Sequence, residues 1–154
     1  MGMLSRFVGT YTHNLDAKGR IAVPTVFRAL LGETCFATIG IDSCIIIYTE
    51  EGWNAEYERL SKLPPNKQDS RDLKRMFTAY TKECPFDAQG RILLHSQLLE
   101  YGNIFDENGK IKKECAIIGF GEHVEIWSAD EWDKLTKVAL PKRGEVSEQS
   151  LEQN

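Results

Sequence analysis

The chain has 154 residues, of which 42% are hydrophobic and 27% are charged, and its net charge is −4. The length fits one medium domain or two small ones, and the apolar share excludes a largely disordered chain. No stretch approaches the roughly 20 apolar residues of a membrane span, and the N-terminal residues lack the apolar core of a signal peptide. We therefore expect a cytoplasmic protein without a membrane partner.

The acidic balance does not extend to the N-terminal segment. Up to residue 28 the formal charge is +3, because one carboxylate accompanies four basic side chains: Asp16 against Arg6, Lys18, Arg20 and Arg28. A local basic surface can bind phosphate even when the whole chain is acidic. The net charge therefore does not exclude a nucleic-acid partner.

The cysteines are predicted to be buried thiols: Cys35, Cys44, Cys84 and Cys115. No two of them show the C-x-x-C spacing of a zinc site, and the three histidines are scattered singly. A cysteine that opens a strand-like run usually acts as a small buried hydrophobe. We expect no metal, no other cofactor and no small-molecule substrate.

The first half opens with a strand-like run at residues 7–12, rich in β-branched and aromatic side chains. After a turn, a return strand at residues 20–23 runs up to Pro24. Proline suits the start of a helix, here predicted at residues 25–31. Its apolar face would comprise Val26, Phe27 and Leu30.

Two further strands are predicted at residues 35–39 and 44–48, with a turn between them. Thr49 is a suitable N-cap for the helix that follows. The apolar side chains of this helix recur at helical spacing: Trp53, Tyr57 and Leu60. Pro64 and Pro65 end the pattern and indicate a boundary between the halves.

A short helix is predicted after this boundary, capped by Asp69 or Ser70. Its apolar face would comprise Leu73, Met76 and Phe77. The predicted organisation is an N-terminal repeat at residues 1–63, a linker with a short helix at 64–77, a C-terminal repeat at 78–140 and a disordered tail at 141–154.

The second half repeats the order of the first, strand–turn–strand–helix–strand–strand–helix. An internal repeat of this kind is stronger evidence for the architecture than any single motif. In chain order it contains strands at residues 78–81 and 91–94, a helix near 97–101, strands at 116–119 and 124–127, and a capping box at 128–131. Residues 106–110 form a polar insertion that the first half lacks. Its cluster of Lys110, Lys112 and Lys113 is interpreted as solvated, with added phosphate affinity as the alternative.

The closest match between the halves is a hexapeptide, DAKGRI at residues 16–21 and DAQGRI at residues 87–92. In each copy the aspartate can accept hydrogen bonds from the following backbone, and the glycine can adopt a left-handed conformation. The predicted turn-forming residues are Asp16, Gly19, Asp87 and Gly90. Two such halves pack most simply around a pseudo-two-fold axis, which would bring both turns to comparable places.

The motif supports two interpretations. An arginine on a fixed turn offers a planar fork that matches a phosphate or the major-groove edge of guanine. The candidate DNA-binding side chains are then Lys18, Arg20, Arg91 and Arg6. Alternatively, each copy is only a good hairpin turn with a solvated arginine. Duplication favours the first interpretation, although the residues alone leave both open.

Signals for an enzyme are weak. The glycines at residues 119–121 do not complete a phosphate-binding G-x-G-x-x-G, because Val124 occupies the last glycine position. Asp16 and Asp87 are not a catalytic pair, since each has an arginine nearby and neither lies in an apolar stretch. The three tryptophans are predicted to be core residues rather than base-stacking ones: Trp53, Trp127 and Trp132.

Residues 7–24, 86–94 and 124–127, together with Trp132, resemble the MraZ family of bacterial transcription regulators. The resemblance covers residues 3–138. It implies an α+β fold in which two tandem AbrB-like βααβ repeats form a pseudo-two-fold swapped-hairpin β-barrel flanked by short helices. The residues that match the two DNA-binding motifs are Asp16, Lys18, Gly19 and Arg20 in the first and Asp87, Gly90 and Arg91 in the second.

The same resemblance implies a ring of many protomers on double-stranded DNA, at tandem repeats in the promoter of the division and cell wall gene cluster. Such a protein generally represses its own operon and is associated with the nucleoid. Two departures from the family pattern are His95 in place of a proline and the length of the insertion at residues 106–113. The competing hypothesis is a ring-forming assembly or scaffold protein whose arginine turns contact other subunits or a protein partner.

Overall fold

The computed structural model describes residues 5–112 and 114–145. Its helices and strands follow one another in the order β1 (Thr10–Asn14), β2 (Arg20–Ala22), α1 (Thr25–Leu31), β3 (Thr34–Ile39), β4 (Ile45–Tyr48), α2 (Glu50–Ser61), α3 (Gln68–Ala79), β5 (Lys82–Pro85), β6 (Arg91–Leu93), α4 (Ser96–Tyr101), β7 (Glu114–Gly119), β8 (Val124–Ser128) and α5 (Ala129–Ala139). The predicted mixed α+β class is therefore confirmed. None of the described helices is long and apolar enough to cross a membrane.

The strands form two antiparallel sheets. Six strands pair in the order β1-β7-β8-β4-β3-β5, and β2 pairs with β6 in a separate two-stranded ribbon. The six-strand order is unchanged when each strand is exchanged for its counterpart in the other half, as a pseudo-two-fold axis requires. No pairing among the described residues joins the edges of the large sheet, so the expected closed barrel is not seen.

Pairs of equivalent residues locate the axis. Ile21 on β2 lies opposite Ile92 on β6, which is its counterpart 71 residues later. The two halves also exchange strands, because β1 pairs with β7 and β5 pairs with β3. Each half thus completes the sheet of the other. The equivalent turns at residues 16–20 and 87–91 are brought to the same end of the axis.

Side chains alternate between two hydrophobic cores on the faces of the large sheet. Ile45 and Ile47 pack into the core that also contains the ribbon, α1 and α4. Ile46 and Tyr48 pack into the core beneath α2 and α3. Burying one such side chain contributes about 1.5–3 kcal/mol to stability, so both faces of β4 are strongly fixed.

The tryptophans belong to the second core, as predicted. Trp53 stacks between Tyr57 and Phe77, with ring centroids 5.4 Å and 5.1 Å away. Trp127 is 5% exposed and lies 5.7 Å from the ring of Trp132. The four cysteines are also buried, which confirms that prediction.

The helix caps agree in part with the sequence pattern. Thr49 and Ser128 cap α2 and α5 by accepting hydrogen bonds from the N–H groups of Gly52 and Glu131. The predicted caps of α3 were wrong, because Asp69 lies inside the first turn of a longer helix whose N-cap is Lys67. A carboxylate in the first turn interacts favourably with the helix dipole without accepting a capping bond.

Two predicted apolar faces were partly wrong. Val26 on α1 is 45% exposed, whereas Phe27 and Leu31 are the buried side chains of this helix. On α3, Leu73 and Met76 are 50% and 44% exposed, and only Phe77 is buried. Each helix therefore buries a narrower stripe than its spacing of apolar residues indicates.

The predicted strand at residues 78–81 was also wrong. Thr78 and Ala79 end α3, and β5 begins at Lys82. The helical backbone bonding continues to Tyr80, whose N–H donates to the carbonyl of Met76 at 3.2 Å. The similarity to residues 9–12 is misleading because the helix continues past the apparent start of the repeat.

The start of the chain and the start of α4 differ less from expectation. Phe7 forms an isolated bridge with Gly121, and β1 begins only after Gly9, whose φ of +102° interrupts the strand. α4 forms even though His95, its N-cap, stands in place of a proline. The predicted disordered tail lies outside the described residues from residue 146 onward, as do Lys113 and residues 1–4.

Candidate nucleic-acid interface

The first turn (residues 16–20) is fixed by Asp16. One carboxylate oxygen, Oδ1, accepts hydrogen bonds from the N–H groups of Lys18 and Arg20, each at 2.9 Å. The backbone closes the hairpin from Asp16 N–H to the Arg20 carbonyl at 2.9 Å. Gly19 has a φ of +87°, a conformation that side chains rarely adopt. The aspartate and the glycine are therefore both required by the local geometry.

The second turn (residues 87–91) has the same geometry. Asp87 Oδ1 accepts from the N–H groups of Gln89 and Arg91, each at 2.9 Å. The backbone bond from Asp87 N–H to the Arg91 carbonyl is also 2.9 Å long, and Gly90 has a φ of +76°. The predicted turn residues thus have the predicted local structure in both halves.

The pKa of both aspartates is lowered in this setting. The pKa of Asp16 is lowered to about 2, chiefly by the backbone hydrogen bond from Arg20 and also by the guanidinium of the same residue. The pKa of Asp87 is lowered by the equivalent bonds from Arg91. Both carboxylates are therefore ionised near neutral pH and hold their arginines in place through charge-assisted bonds.

The two turns meet in one surface. The carbonyl of Gly19 accepts from Leu94 N–H at 2.9 Å, and the carbonyl of Gly90 accepts from Val23 N–H at 3.2 Å. Each turn is thus held by the return strand of the other half. Arg91 Nη1 also lies 3.5 Å from Asp16 Oδ2, so an ion pair links the second turn to the first.

The arginines differ in how freely they can meet an external anion. Arg20 donates through Nε to Asp16 Oδ2 at 2.6 Å, and none of its bonds to the described residues uses the terminal Nη atoms. Arg91 makes the matching Nε bond to Asp87 at 2.9 Å, but its Nη1 already faces Asp16. Arg20 is therefore the better placed of the two to present a guanidinium fork.

Arg28 is a candidate that sequence reasoning missed as a site residue. Its guanidinium lies so close to Gly90 that a Cβ at position 90 would overlap with it. The Arg28 Nε donates to the Val23 carbonyl at 3.2 Å, which holds the side chain across the second turn. Where the second turn has lost a cation at Gln89, Arg28 supplies one from α1.

The remaining predicted residues lie at different places. Lys18 is exposed at the tip of the first turn. Arg6 precedes Phe7, which pairs with Gly121 near the start of β1, at the end of the strand away from the turn. Within the part of the chain that the structure describes, the Arg6 side chain donates only to the Ser5 carbonyl. The structure therefore brings together the two turns and Lys18, with Arg28 added, and does not bring Arg6 to them.

The surface is suited to a polyanion. It carries two more cationic groups than carboxylates, namely Lys18, Arg20, Arg28 and Arg91 against Asp16 and Asp87. Its backbone is fixed by hydrogen bonds, so little conformational entropy is lost on binding.

A metal site has no support among the described residues, where no group of three or more histidine, cysteine or acidic side chains comes together. Burial raises the pKa of the thiols of Cys84 and Cys115, to about 11 and about 12. They are therefore protonated at neutral pH, whereas a metal ligand must be a thiolate.

The comparisons with known proteins agree with the doubled architecture. A family model described as "MraZ protein, putative antitoxin-like" matches residues 6–76 and again residues 76–145. The chain is 38% identical over 146 residues to a protein of Carboxydothermus hydrogenoformans named transcriptional regulator MraZ. The aligned region covers 95% of this chain and 97% of that protein.

The chain belongs to the MraZ family. A regulator of the same name from Heliobacterium modesticaldum is 38% identical, and one from Natranaerobius thermophilus is 37% identical, each over 95% of this chain and 97% of the relative. The MraZ relatives are named as regulators and not as enzymes, which agrees with the prediction that the chain is not an enzyme. Residue 76, where the two MraZ matches meet, lies within α3.

Proposed function

We propose that this chain is a sequence-specific DNA-binding transcriptional regulator that represses the division and cell wall gene cluster containing its own gene. The observation that carries the proposal is the meeting of two equivalent rigid turns, linked by the ion pair between Arg91 and Asp16 at 3.5 Å. The names of its relatives support the regulatory part.

Each side chain of the interface has a separate role in this proposal. Arg20 reads a base edge, because its terminal nitrogens can donate two parallel hydrogen bonds to guanine. Lys18 and Arg28 bind phosphates on either side and fix the register on the duplex. Arg91 mainly positions the first turn through Asp16. Arg6 is proposed only as a peripheral phosphate contact.

The proposed active form is a ring of protomers. A groove of about 1150 Å³ lies between α3 and the turns that follow β3 and β7, and none of its lining residues belongs to the arginine turns. Four of its apolar side chains are exposed in the single chain: Ile41, Leu73, Met76 and Phe120. Exposed apolar surface of this kind is typical of protein interfaces, so we assign the groove to contact between copies.

Assembly would explain how so small an interface binds DNA tightly. One protomer offers only a few cations, and few neutralised phosphates give weak binding at physiological salt. A ring that engages tandem promoter repeats makes the later contacts intramolecular and thereby raises affinity. The two repeats, at residues 1–63 and 78–140, would supply one turn each to every protomer of a nucleoid-associated complex.

The test is an electrophoretic mobility shift on the DNA upstream of the gene that encodes this chain, at several salt concentrations. The wild type should give a salt-sensitive shift that prefers this DNA over a scrambled sequence. Arg20→Ala should lose the preference while its oligomeric state stays that of the wild type. Lys62→Ala is the matched control, because Lys62 is exposed at the end of α2. This helix packs on the face of the large sheet opposite to the core that contains the ribbon.

The opposite result favours the scaffold hypothesis. If the assembled wild type gives no shift at any salt concentration, the arginine turns serve another contact. Should Arg20→Ala instead dissociate the assembly, the turn belongs to a subunit interface.

A further inference from the structure

The insertion at residues 106–110 adopts the same fold as the two arginine turns. Asp106 Oδ1 accepts from the N–H groups of Asn108 at 2.9 Å and Lys110 at 2.8 Å. The backbone closes from Asp106 N–H to the Lys110 carbonyl at 2.7 Å, and Gly109 has a φ of +75°. Aspartate, glycine and a cation therefore occupy the same three positions in this third turn (residues 106–110).

The third turn is anchored beside the first. Phe105 and Ile111 pair at its base, and both pack against the core. Lys112 N–H donates to the carbonyl of the fully buried Ile104 at 2.5 Å, which ties the returning strand to the body of the protein. The Ile111 side chain approaches the Cβ position of Gly19 to 4.0 Å, so the base of the third turn lies against the first turn.

The cation of the third turn has no ion-pair partner among the described residues. In the first two turns the arginine bonds its own aspartate, but Lys110 makes no ion pair with any described residue. No atom lies within 4 Å of the Cβ position of Gly109, so the tip of the turn projects into open space. The neighbouring Lys112, by contrast, lies 3.6 Å from Asp130.

We propose that the third turn is an additional contact to the DNA backbone, with the Lys110 ammonium on a phosphate next to the site of the first turn. This inference rests on the proposed function. A lysine lacks the planar fork of arginine and acts as a point charge, so the contact adds affinity without reading sequence. The third turn would widen the basic surface of the N-terminal half, where its anchor contacts Gly19.

The experiment compares Lys110→Gln with the wild type in equilibrium binding to upstream DNA and to scrambled DNA, over a series of salt concentrations. The logarithm of the binding constant falls linearly with the logarithm of salt, with a slope of about −0.9 for each phosphate neutralised. Lys110→Gln should make the slope shallower by about 0.9 per protomer in contact with DNA. The loss of affinity should be the same factor on both DNAs.

Two further variants make the result specific. Lys110→Arg keeps the charge and should retain the wild-type slope. Lys62→Gln removes the same charge from the end of α2, whose apolar side packs on the other face of the sheet, and should change neither slope nor affinity. All variants should keep the wild-type unfolding temperature, because Lys110 and Lys62 are exposed.

The possible failures are distinguishable. If Lys110→Gln keeps the wild-type slope while Arg20→Ala loses sequence preference, the third turn does not contact DNA and the proposed function stands. If Lys62→Gln makes the slope shallower by the same amount as Lys110→Gln, the effect comes from the net charge of the protein and the inference is overturned. If the wild type binds neither DNA, the inference and the proposed function both fail.

Discussion

Asp16 fixes the backbone of the first turn and also links the two arginine turns. It accepts backbone bonds through Oδ1, and its Oδ2 lies 2.6 Å from Arg20 and 3.5 Å from Arg91. Its ionised form is thus favoured in the folded protein. Folding stability should depend on pH where this carboxyl titrates.

The predicted pH dependence has a definite sign. The pKa of Asp16 falls from 3.8 to about 2 on folding, so its contribution to stability is complete above about pH 4 and is lost as the pH drops toward 2. Asp16→Asn lacks this contribution at every pH. Urea unfolding from pH 2 to pH 7 should therefore show a smaller acid-induced loss of stability in the variant than in the wild type.

The control for this titration is Asp133→Asn, on the exposed surface of α5. It should retain the acid-induced loss of the wild type. If Asp16→Asn loses as much stability between pH 4 and pH 2 as the wild type, Asp16 does not hold the turn through its charge.

At the scale of elements, two effects on stability can be measured separately: the contact between α1 and the second turn, and backbone strain at a glycine with positive φ. Gly90 and Gly109 have nearly equal φ values, +76° and +75°, but only Gly90 lies against a side chain, that of Arg28. Strain at a single residue of this kind costs on the order of 1–3 kcal/mol. A methyl group at position 90 must also displace the Arg28 guanidinium, which ends a flexible side chain and can move at little cost. Gly90→Ala should therefore destabilise the protein only slightly more than Gly109→Ala in urea unfolding.

A second substitution identifies the source of the difference. In the Gly90→Ala/Arg28→Ala double variant the steric overlap is gone, so Arg28→Ala should cost less in this background than in the wild type. If the effects of Gly90→Ala and Arg28→Ala simply add in the double variant, close packing of Arg28 on the second turn is contradicted.

Elements set by local sequence were predicted well. α1 has the predicted bounds because a proline precedes it and a glycine follows it. The capping of α2 by Thr49 depends only on nearby residues. The strand expected at residues 78–81 failed because the continuation of α3 is decided by helical bonds that the internal repeat does not reveal.

Those features of the site that depend on residues close together in the sequence were predictable. The turn conformation follows from aspartate and glycine at fixed spacing, and both copies have it. The approach of Arg28 to Gly90 could not be predicted, because it depends on how the two halves cross. The D-x-x-G-K pattern of the third turn is visible in the sequence. Its position beside the first turn is known only from the structure, through its hydrogen bonds and its contact with Gly19.

At the scale of the whole molecule, the groove should control assembly separately from the arginine turns. Leu73→Glu places a charge on an exposed groove residue and should dissociate the proposed ring without unfolding the chain. The protomer should then bind DNA with several repeats much more weakly, because avidity is lost. Light scattering and binding to DNA with one or several repeats would measure both effects.

Val138→Glu is the matched control, since Val138 is an exposed apolar residue of α5 outside the groove. It should leave the assembly intact. If Leu73→Glu has the wild-type mass in solution and the wild-type affinity, the groove is not the contact between copies.

The most direct test of the central claim is photo-crosslinking from the tip of the first turn. A photoreactive amino acid at position 18, in the assembled protein on its upstream DNA, should crosslink to DNA. The same amino acid at position 62 should not, because it lies at the end of α2 among elements of the second core. Crosslinks from position 18 to another protein chain, with none to DNA, would contradict the claim that the arginine turns bind DNA.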